Sequence, residues 1–160
     1  MAQDFNIYEV KQIALNLEKD GFAFYMAMAN YSKSTKAKAI FLKLASDEKE
    51  HIKWVNELDI NEIEVGSDAD IAMINDYISN VVKSEVFPNP EKAPEVMDRI
   101  KEESDGIRIG MNAESKSVKF FDQLYSNVVD EKSKEILLKL KDQEVLHYKM
   151  LKEFLEGIEN

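Results

Sequence analysis

Both histidines of this chain end the same four-residue motif, Glu-x-x-His. The motif occurs at Glu48–His51 and again at Glu144–His147, and the sequence has no other histidine. Residues three apart on a helix lie on one face, so each motif presents a carboxylate and an imidazole side by side. Both groups are ligands of divalent transition metals, and the pattern therefore predicts a metal site.

Two further glutamates and an internal repeat extend this pattern. Glu18 and Glu114 each lie 30 residues before the glutamate of a motif, so all the spacings recur at an offset of 96. Between residues 34–58 and residues 130–154, ten of the 25 aligned positions are identical. Unrelated segments would share about one or two, so we interpret the chain as one helical hairpin present twice.

All four glutamates are predicted to lie within the apolar stripe of their own helices. Glu48, for example, has Leu44 and Ile52 one turn away on either side. Buried carboxylates that converge in a bundle are costly to desolvate and repel one another, and two divalent cations would neutralise them. Four carboxylates and two imidazoles suit iron or manganese, although zinc binds the same groups. The alternative, a hydrogen-bonded core histidine beside a partly exposed glutamate, would have to apply twice.

Composition favours one all-α domain. The 160 residues include only three prolines and five glycines, and 44% are hydrophobic, which is typical of long helices around one core. A net charge of −10 argues against nucleic acid as a partner, because phosphate backbones attract clustered Lys and Arg. The absence of cysteine excludes thiolate metal sites. No apolar run resembles a signal or membrane segment, so we expect a cytoplasmic protein without a membrane partner.

Four long helices must position the candidate ligands. Apolar residues at intervals of three and four predict them at about residues 6–31, 36–58, 94–129 and 132–155, and the last is expected to end near Gly157. The short connections within each pair force antiparallel packing, which gives two hairpins.

A long crossover joins the two hairpins. It carries a shorter predicted helix at about residues 69–84, whose apolar face consists of Ile71, Ile74, Tyr77, Ile78, Val81 and Val82. This connectivity is that of a ferritin-like four-helix bundle. The single domain, residues 1–160, is therefore divided into hairpin one at 6–58, the crossover at 59–93 and hairpin two at 94–157.

Over nearly its whole length the chain resembles the rubrerythrin-like branch of the ferritin-like di-iron proteins. The match lies in the order of six candidate metal ligands: Glu18, Glu48, His51, Glu114, Glu144 and His147. The resemblance implies two iron ions per chain, with Glu48 and Glu144 as bridging ligands. It also implies that Glu18 and Glu114 are terminal ligands and that each metal carries one histidine.

Three further features bear on this resemblance. Tyr25 lies where the family places a tyrosine beside the cluster, which implies a hydrogen bond from its hydroxyl to a ligand carboxylate, and it is our catalytic candidate. Ser117 occupies the position, three residues after Glu114, where rubrerythrin has a further glutamate used when the iron shifts with redox state. Rubrerythrin also carries a cysteine-ligated rubredoxin module, and these 160 residues contain no cysteine.

The resemblance implies an oxidoreductase that reduces hydrogen peroxide or dioxygen and so protects against oxidants. It further implies an external electron donor and a homodimer. Two alternatives stay open: an iron-handling protein with little turnover, and a structural bundle that the metal stabilises. Ala14 and Gly110, each one turn before a candidate ligand, leave room either for a small oxidant or for close helix packing.

Overall fold

Seven α-helices are present in the computed structural model, which describes residues 4–82, 86–88, 93–100 and 102–159. A π-helical segment, Ile78–Val82, directly continues the fourth helix. The predicted all-α, ferritin-like bundle is confirmed. The helices are α1 Ile7–Tyr31, α2 Thr35–Asn56, α3 Glu62–Val65, α4 Asp68–Tyr77, α5 Ala93–Arg99, α6 Glu103–Ser126 and α7 Glu131–Glu159.

Two helical hairpins build the bundle. α1 packs along α2, and α6 packs along α7. Asn6 begins α1 with a capping box, since its side chain accepts from the Glu9 N–H while the Glu9 carboxylate accepts from the Asn6 N–H. Ser34 begins α2 by accepting from the Ala37 N–H at 3.3 Å. These caps fix where each helix begins and therefore which residues face inward.

The core lies along the bundle axis. Each long helix contributes at least one fully buried large side chain, such as Leu17 from α1, Phe41 from α2, Phe121 from α6 and Leu140 from α7. Burying side chains of this size is the main stabilising contribution to such a bundle. Among the described residues, no helix is both long and apolar enough to span a membrane.

One end of the bundle is tied together by backbone hydrogen bonds. The Phe5 N–H donates to the Asn127 carbonyl at 2.8 Å, and Phe5 forms a parallel bridge with Val128 in the α6–α7 turn. Lys11 Nζ donates to the Leu58 carbonyl at 2.9 Å, beyond the end of α2. The Phe5 contacts thus join the two hairpins where α1 begins, and the Lys11 side chain fastens the end of α2 to α1.

The crossover helix follows the predicted face. Ile74, Ile78 and Val82 are buried, and Tyr77 and Val81 pack against the core. The α-helical part ends at Tyr77 and continues with π-helical geometry, a difference that the apolar spacing did not indicate. The predicted end of this helix, near residue 84, lies outside the described residues.

The third predicted long helix, residues 94–129, is interrupted. α5 and α6 are separate, and Glu102, which precedes α6, is extended with φ −125° and ψ 155°. The Asp105 carboxylate accepts from the Glu102 N–H at 3.0 Å, which stabilises the start of a new helix. The prediction of one continuous helix was wrong because apolar periodicity alone does not report such a break.

The C-terminal ends of two helices also differ from prediction. α6 ends at Ser126, and Val128 takes part in the bridge to Phe5 rather than continuing the helix. α7 continues through Gly157 to Glu159. Neither difference moves a candidate ligand.

Candidate metal centre

The structure brings all six candidate ligands together in the middle of the bundle. α1 contributes one glutamate, α6 contributes another, and α2 and α7 each contribute a glutamate and a histidine. Each of the six is at most 2% exposed: Glu18, Glu48, His51, Glu114, Glu144 and His147. The apolar neighbours of these residues on each helix account for this burial, because they face the same core.

Three carboxylates surround His51. Its Nδ1 atom lies 3.0 Å from Glu18 Oε2 and 3.4 Å from Glu48 Oε2. The same nitrogen lies 3.3 Å from Glu144 Oε1, which comes from the other hairpin. One imidazole nitrogen and three carboxylates therefore converge from α1, α2 and α7.

His147 has an equivalent environment. Its Nδ1 atom lies 3.3 Å from Glu48 Oε1, 3.4 Å from Glu114 Oε1 and 3.9 Å from Glu144 Oε2. In each half of the cluster the candidate ligand atoms all lie within 4.8 Å of one another. Only Glu48 and Glu144 belong to both halves, so the arrangement has two adjacent positions with two shared carboxylates.

Burial changes the acidity of the two unshared glutamates. It raises the pKa of Glu18 well above the ordinary value of 4.5, and the charge of Glu48 raises this pKa further. The pKa of Glu114 is raised for the same two reasons, with Glu144 as the neighbouring charge. In the absence of a cation, the cluster therefore retains protons that a solvated glutamate would release.

The two histidines are held in their charged form. Burial alone would lower the pKa of His51, but the three carboxylates around its Nδ1 atom, led by Glu144, raise it from 6.5 to about 12. For His147, burial is likewise outweighed by Glu114 and Glu48, which raise its pKa to about 11. The imidazolium ions thus neutralise part of the carboxylate charge, and a metal ion bound there would replace their protons.

Many polar atoms of the cluster lack a hydrogen-bonding partner of good geometry. Within the described part of the chain these include both carboxylate oxygens of Glu48, one oxygen each of Glu18, Glu114 and Glu144, and the Nδ1 atom of His147. A buried polar atom left without a partner costs about 1–3 kcal/mol. Oxygen and imidazole donors that converge in this way fit divalent cations.

The rubrerythrin family model matches residues 9–155, a range that contains the whole cluster. The chain belongs to the rubrerythrin family. No curated protein and no solved structure matches it. Rubrerythrins typically bind iron, and the buried carboxylate and histidine groups could hold metal. As a rubrerythrin, however, the chain has a buried Ser117 rather than a second glutamate beside Glu114.

Tyr25 lies against this rubrerythrin-type cluster. Its side chain is fully buried, and its hydroxyl donates a hydrogen bond to Glu114 Oε1. Burial and the negative charge of Glu114 raise the pKa of Tyr25 well above its ordinary value of 10.0. The hydroxyl therefore stays protonated at neutral pH and can orient one carboxylate oxygen of Glu114.

Sequence reasoning missed an aspartate behind one of the histidines. Asp47 Oδ2 lies 3.3 Å from His147 Nε2, the nitrogen that faces away from the cluster. The 96-residue offset pairs Asp47 with Gln143, so the second hairpin has no carboxylate at this position. Correspondingly, His51 Nε2 has no hydrogen-bonding partner among the described residues.

Trp54 covers the other histidine and was also missed. Its ring centroid lies 5.0 Å from that of His51, and the His51 ring in turn stacks on His147 at 5.3 Å. Lys139 Nζ lies 3.7 Å from the centre of the Trp54 ring, in cation–π geometry. One indole thus connects the histidine pair to the partly exposed surface of α2.

Two glycines adjoin the cluster, and different side chains occupy the space beside each of them. A Cβ atom at Gly110 would lie 3.1 Å from Leu151 and 3.6 Å from the Tyr25 ring, so close packing explains the absence of a side chain there. A Cβ atom at Gly21 would lie 3.2 Å from the carboxyl carbon of Glu48 and 3.1 Å from the Phe87 ring. The offset of 96 pairs Gly21 with Ser117, a signal in the sequence that could have identified it.

Proposed function

We propose that this chain is a di-iron oxidoreductase that reduces hydrogen peroxide or dioxygen. The observation that carries the proposal is the doubled arrangement in which Glu48 and Glu144 are shared between the environments of two histidines. Two ferrous ions held there would supply the two electrons that such an oxidant requires.

Each group of the cluster has a distinct task in this proposal. Glu48 and Glu144 would be shared by the two ions, while Glu18 and Glu114 would each hold one of them. The histidines would bind through Nδ1, the nitrogen that faces the carboxylates. Metal binding would displace the protons held by the histidines and by the two unshared glutamates. The positive charge of the metal ions would then replace that of the released protons.

Tyr25 holds a carboxylate in place during this exchange. Its hydrogen bond to Glu114 Oε1 satisfies an acceptor that is fully buried in the core. Because the tyrosine pKa is raised, the hydroxyl keeps its proton while the oxidant reacts. An outer hydrogen bond of this kind typically orients a metal ligand and fixes its geometry.

The electrons that restore the ferrous state come, in this proposal, from an external donor. The 160 residues contain no cysteine, so they hold neither a dithiol nor a cysteine-ligated iron centre that could store electrons. The chain works as a homodimer in this scheme. Iron handling with little turnover is the principal alternative.

The test is to load the purified protein with ferrous iron under anaerobic conditions and to add hydrogen peroxide. We expect about two irons per chain and a fast rise in near-ultraviolet absorbance. Glu48→Ala should lose both properties, because it removes a ligand from both halves. Glu153→Ala, an exposed glutamate of α7, is the matched control and should behave like the wild type.

Two results would contradict the proposal at different levels. Binding of less than about one metal per chain, or binding that is indifferent to Glu48, would overturn the di-metal assignment. Stoichiometric binding of iron that peroxide and dioxygen leave ferrous would instead favour the iron-handling alternative.

A further inference from the structure

The two faces of the metal centre are different. The histidines come from α2 and α7, and their stacked rings, together with Trp54, cover that face. The opposite face belongs to α1 and α6, which contribute the unshared glutamates. On the histidine face, a small molecule would have to pass these three rings to reach the carboxylates.

A cleft of about 140 Å³ lies on the α1–α6 side, between the crossover and α6. Its walls include Val86, Phe87 and Pro88 from the crossover and Ile109, Ala113 and Lys116 from α6. Lys116 is exposed at the mouth, whereas Phe87 and Ala113 are buried at the floor. A water molecule occupies about 30 Å³ of the liquid, so the cleft has room for a molecule as small as hydrogen peroxide.

The ring of Phe87 forms the boundary between this cleft and the carboxylates. One side of the ring lines the cleft. The Cε2 and Cζ atoms face Gly21, where an added Cβ would lie 3.1 Å from the ring and 3.2 Å from the carboxyl carbon of Glu48. The missing side chain at Gly21 thus leaves a space slightly smaller than a methyl group between Phe87 and a shared carboxylate.

Aromatic neighbours hold this ring. Its centroid lies 5.8 Å from that of Phe24 and 6.0 Å from that of Tyr25, to which it is nearly perpendicular. These contacts fix the edge of the ring toward Gly21, and Tyr25 also donates to Glu114. A rotation of Phe87 would therefore open a route from the cleft to the centre beside a tyrosine that already contacts it.

We propose that Phe87 controls the access of small oxidants to the metal centre, and that they enter through the cleft at Lys116 and reach the carboxylates across Gly21. This inference rests on the proposed function, since it assigns the entrance to the same site. Passage requires the Phe87 ring to move, because the space at Gly21 is smaller than a methyl group, so small oxidants should enter faster than bulky ones. The selectivity is thus one of size and depends on residues outside the ligand set.

The test uses azide, a small triatomic anion, and the cobalt(II)-loaded protein, so that no turnover is needed. Binding is followed by stopped-flow absorbance in the cobalt d–d bands. Phe87→Ala should raise the association rate constant by about tenfold, and Phe87→Leu by an intermediate factor, because less ring has to move. Gly21→Ala should lower the rate constant, because its methyl group fills the gap.

The control is Phe120→Ala, which removes an equally large buried side chain of α6 that lines neither the cleft nor the cluster. It should leave the rate constant within about twofold of the wild type. For Phe87→Ala, association and dissociation should both accelerate, so the equilibrium constant should change less than either rate. Far-ultraviolet circular dichroism and cobalt content confirm that each variant is folded and loaded.

The inference and the proposed function fail in different ways. If cobalt binds at two ions per chain but azide associates at the wild-type rate in Phe87→Ala and Phe87→Leu, the access inference is overturned and the metal centre stands. Failure of azide to bind to Phe87→Ala would overturn it as well. If the wild-type chain binds no cobalt, the proposed function fails too.

Discussion

Asp47 Oδ2 lies 3.3 Å from His147 Nε2, on the side of the imidazole that faces away from the carboxylate cluster. The two residues are 100 positions apart and belong to different hairpins. Lys43 pairs with the other carboxylate oxygen of Asp47 and so keeps the aspartate oriented. A carboxylate in this position fixes the ring orientation of a ligating histidine and increases its basicity.

Replacing that aspartate should weaken one metal position more than the other. Asp47→Asn keeps the shape but removes the charge behind His147, and we expect about 10- to 100-fold weaker binding of one ion. Isothermal titration with zinc should then resolve two steps, of which only one is shifted. Asp76→Asn, an exposed aspartate of α4, should leave both steps unchanged. A uniform shift of both steps would show that Asp47 acts through general charge alone.

Replacing a shared glutamate should cost the chain more bound ions than replacing an unshared one. Glu48→Gln removes a ligand from both halves, so bound zinc should fall from about two ions per chain to well below one. Glu18→Gln affects only the His51 half and should leave about one ion. Metal content after dialysis, measured by mass spectrometry, distinguishes the two cases. Equal losses in both variants would contradict the assignment of Glu48 as a bridge.

Trp54 reports the occupation of the half that contains His51. It is the only tryptophan of the chain, and its ring centroid is 5.0 Å from the His51 ring. Paramagnetic cobalt(II) bound to His51 should therefore quench its fluorescence. Glu18→Gln should raise the cobalt concentration at which quenching is half complete, whereas Glu114→Gln should change it little. If both variants shift the midpoint equally, the division of the cluster into two halves is wrong.

The pH dependence follows from groups whose pKa values are raised in the folded protein. The pKa of His51 is raised from 6.5 to about 12 and that of His147 to about 11, so the folded chain binds more protons than the unfolded chain. The stabilisation from each histidine is fully present below pH 6.5 and is lost as the pH rises toward these values. The raised pKa values of Glu18 and Glu114 act in the same direction above pH 4.5.

Metal should reverse this trend. Because the ligands must lose protons before they bind, zinc affinity should increase with pH, and the stabilisation by a fixed zinc concentration should increase with it. Thermal unfolding followed by circular dichroism should show a melting temperature of the metal-free chain that falls between pH 5.5 and 8.5. The difference between zinc-loaded and metal-free protein should widen over the same range. A constant difference would mean that the ligands are already deprotonated.

Loss of the Tyr25 hydroxyl should destabilise the metal-free chain. Tyr25→Phe leaves Glu114 Oε1 buried without its donor, at a cost of about 1–3 kcal/mol in the free energy of unfolding. Tyr125→Phe, in the exposed part of α6, should be close to neutral. Urea unfolding of both variants at pH 7 measures the difference. A neutral Tyr25→Phe would contradict the hydrogen bond as a stabilising contact.

The bundle and the grouping of its candidate ligands follow from periodicity and from the repeat. Apolar spacing determines which face of a helix is buried, so Glu48 and Glu144 had to face the core. The break before α6 was not predictable in this way, because it involves local capping contacts such as the one between Asp105 and Glu102. Propensity and spacing describe long elements well and single caps poorly.

Contacts between the two hairpins could not be predicted from the spacing of residues within one helix. The contact between Asp47 and His147 could not be predicted, because the sequence of α2 does not indicate which residue of α7 packs against it. Phe87 lies in the crossover, where no helical period constrains the direction of a side chain. The offset of 96 was the one long-range signal in the sequence, and it would have identified Gly21 as the counterpart of Ser117.

The difference between Asp47 and Gln143 has a consequence for the choice of metal. Two identical copies of one hairpin would create two equivalent positions. With a carboxylate behind only one histidine, the positions differ in basicity while they share both bridging glutamates. Two cations bound there would meet imidazoles of different basicity, so the two positions need not prefer the same metal.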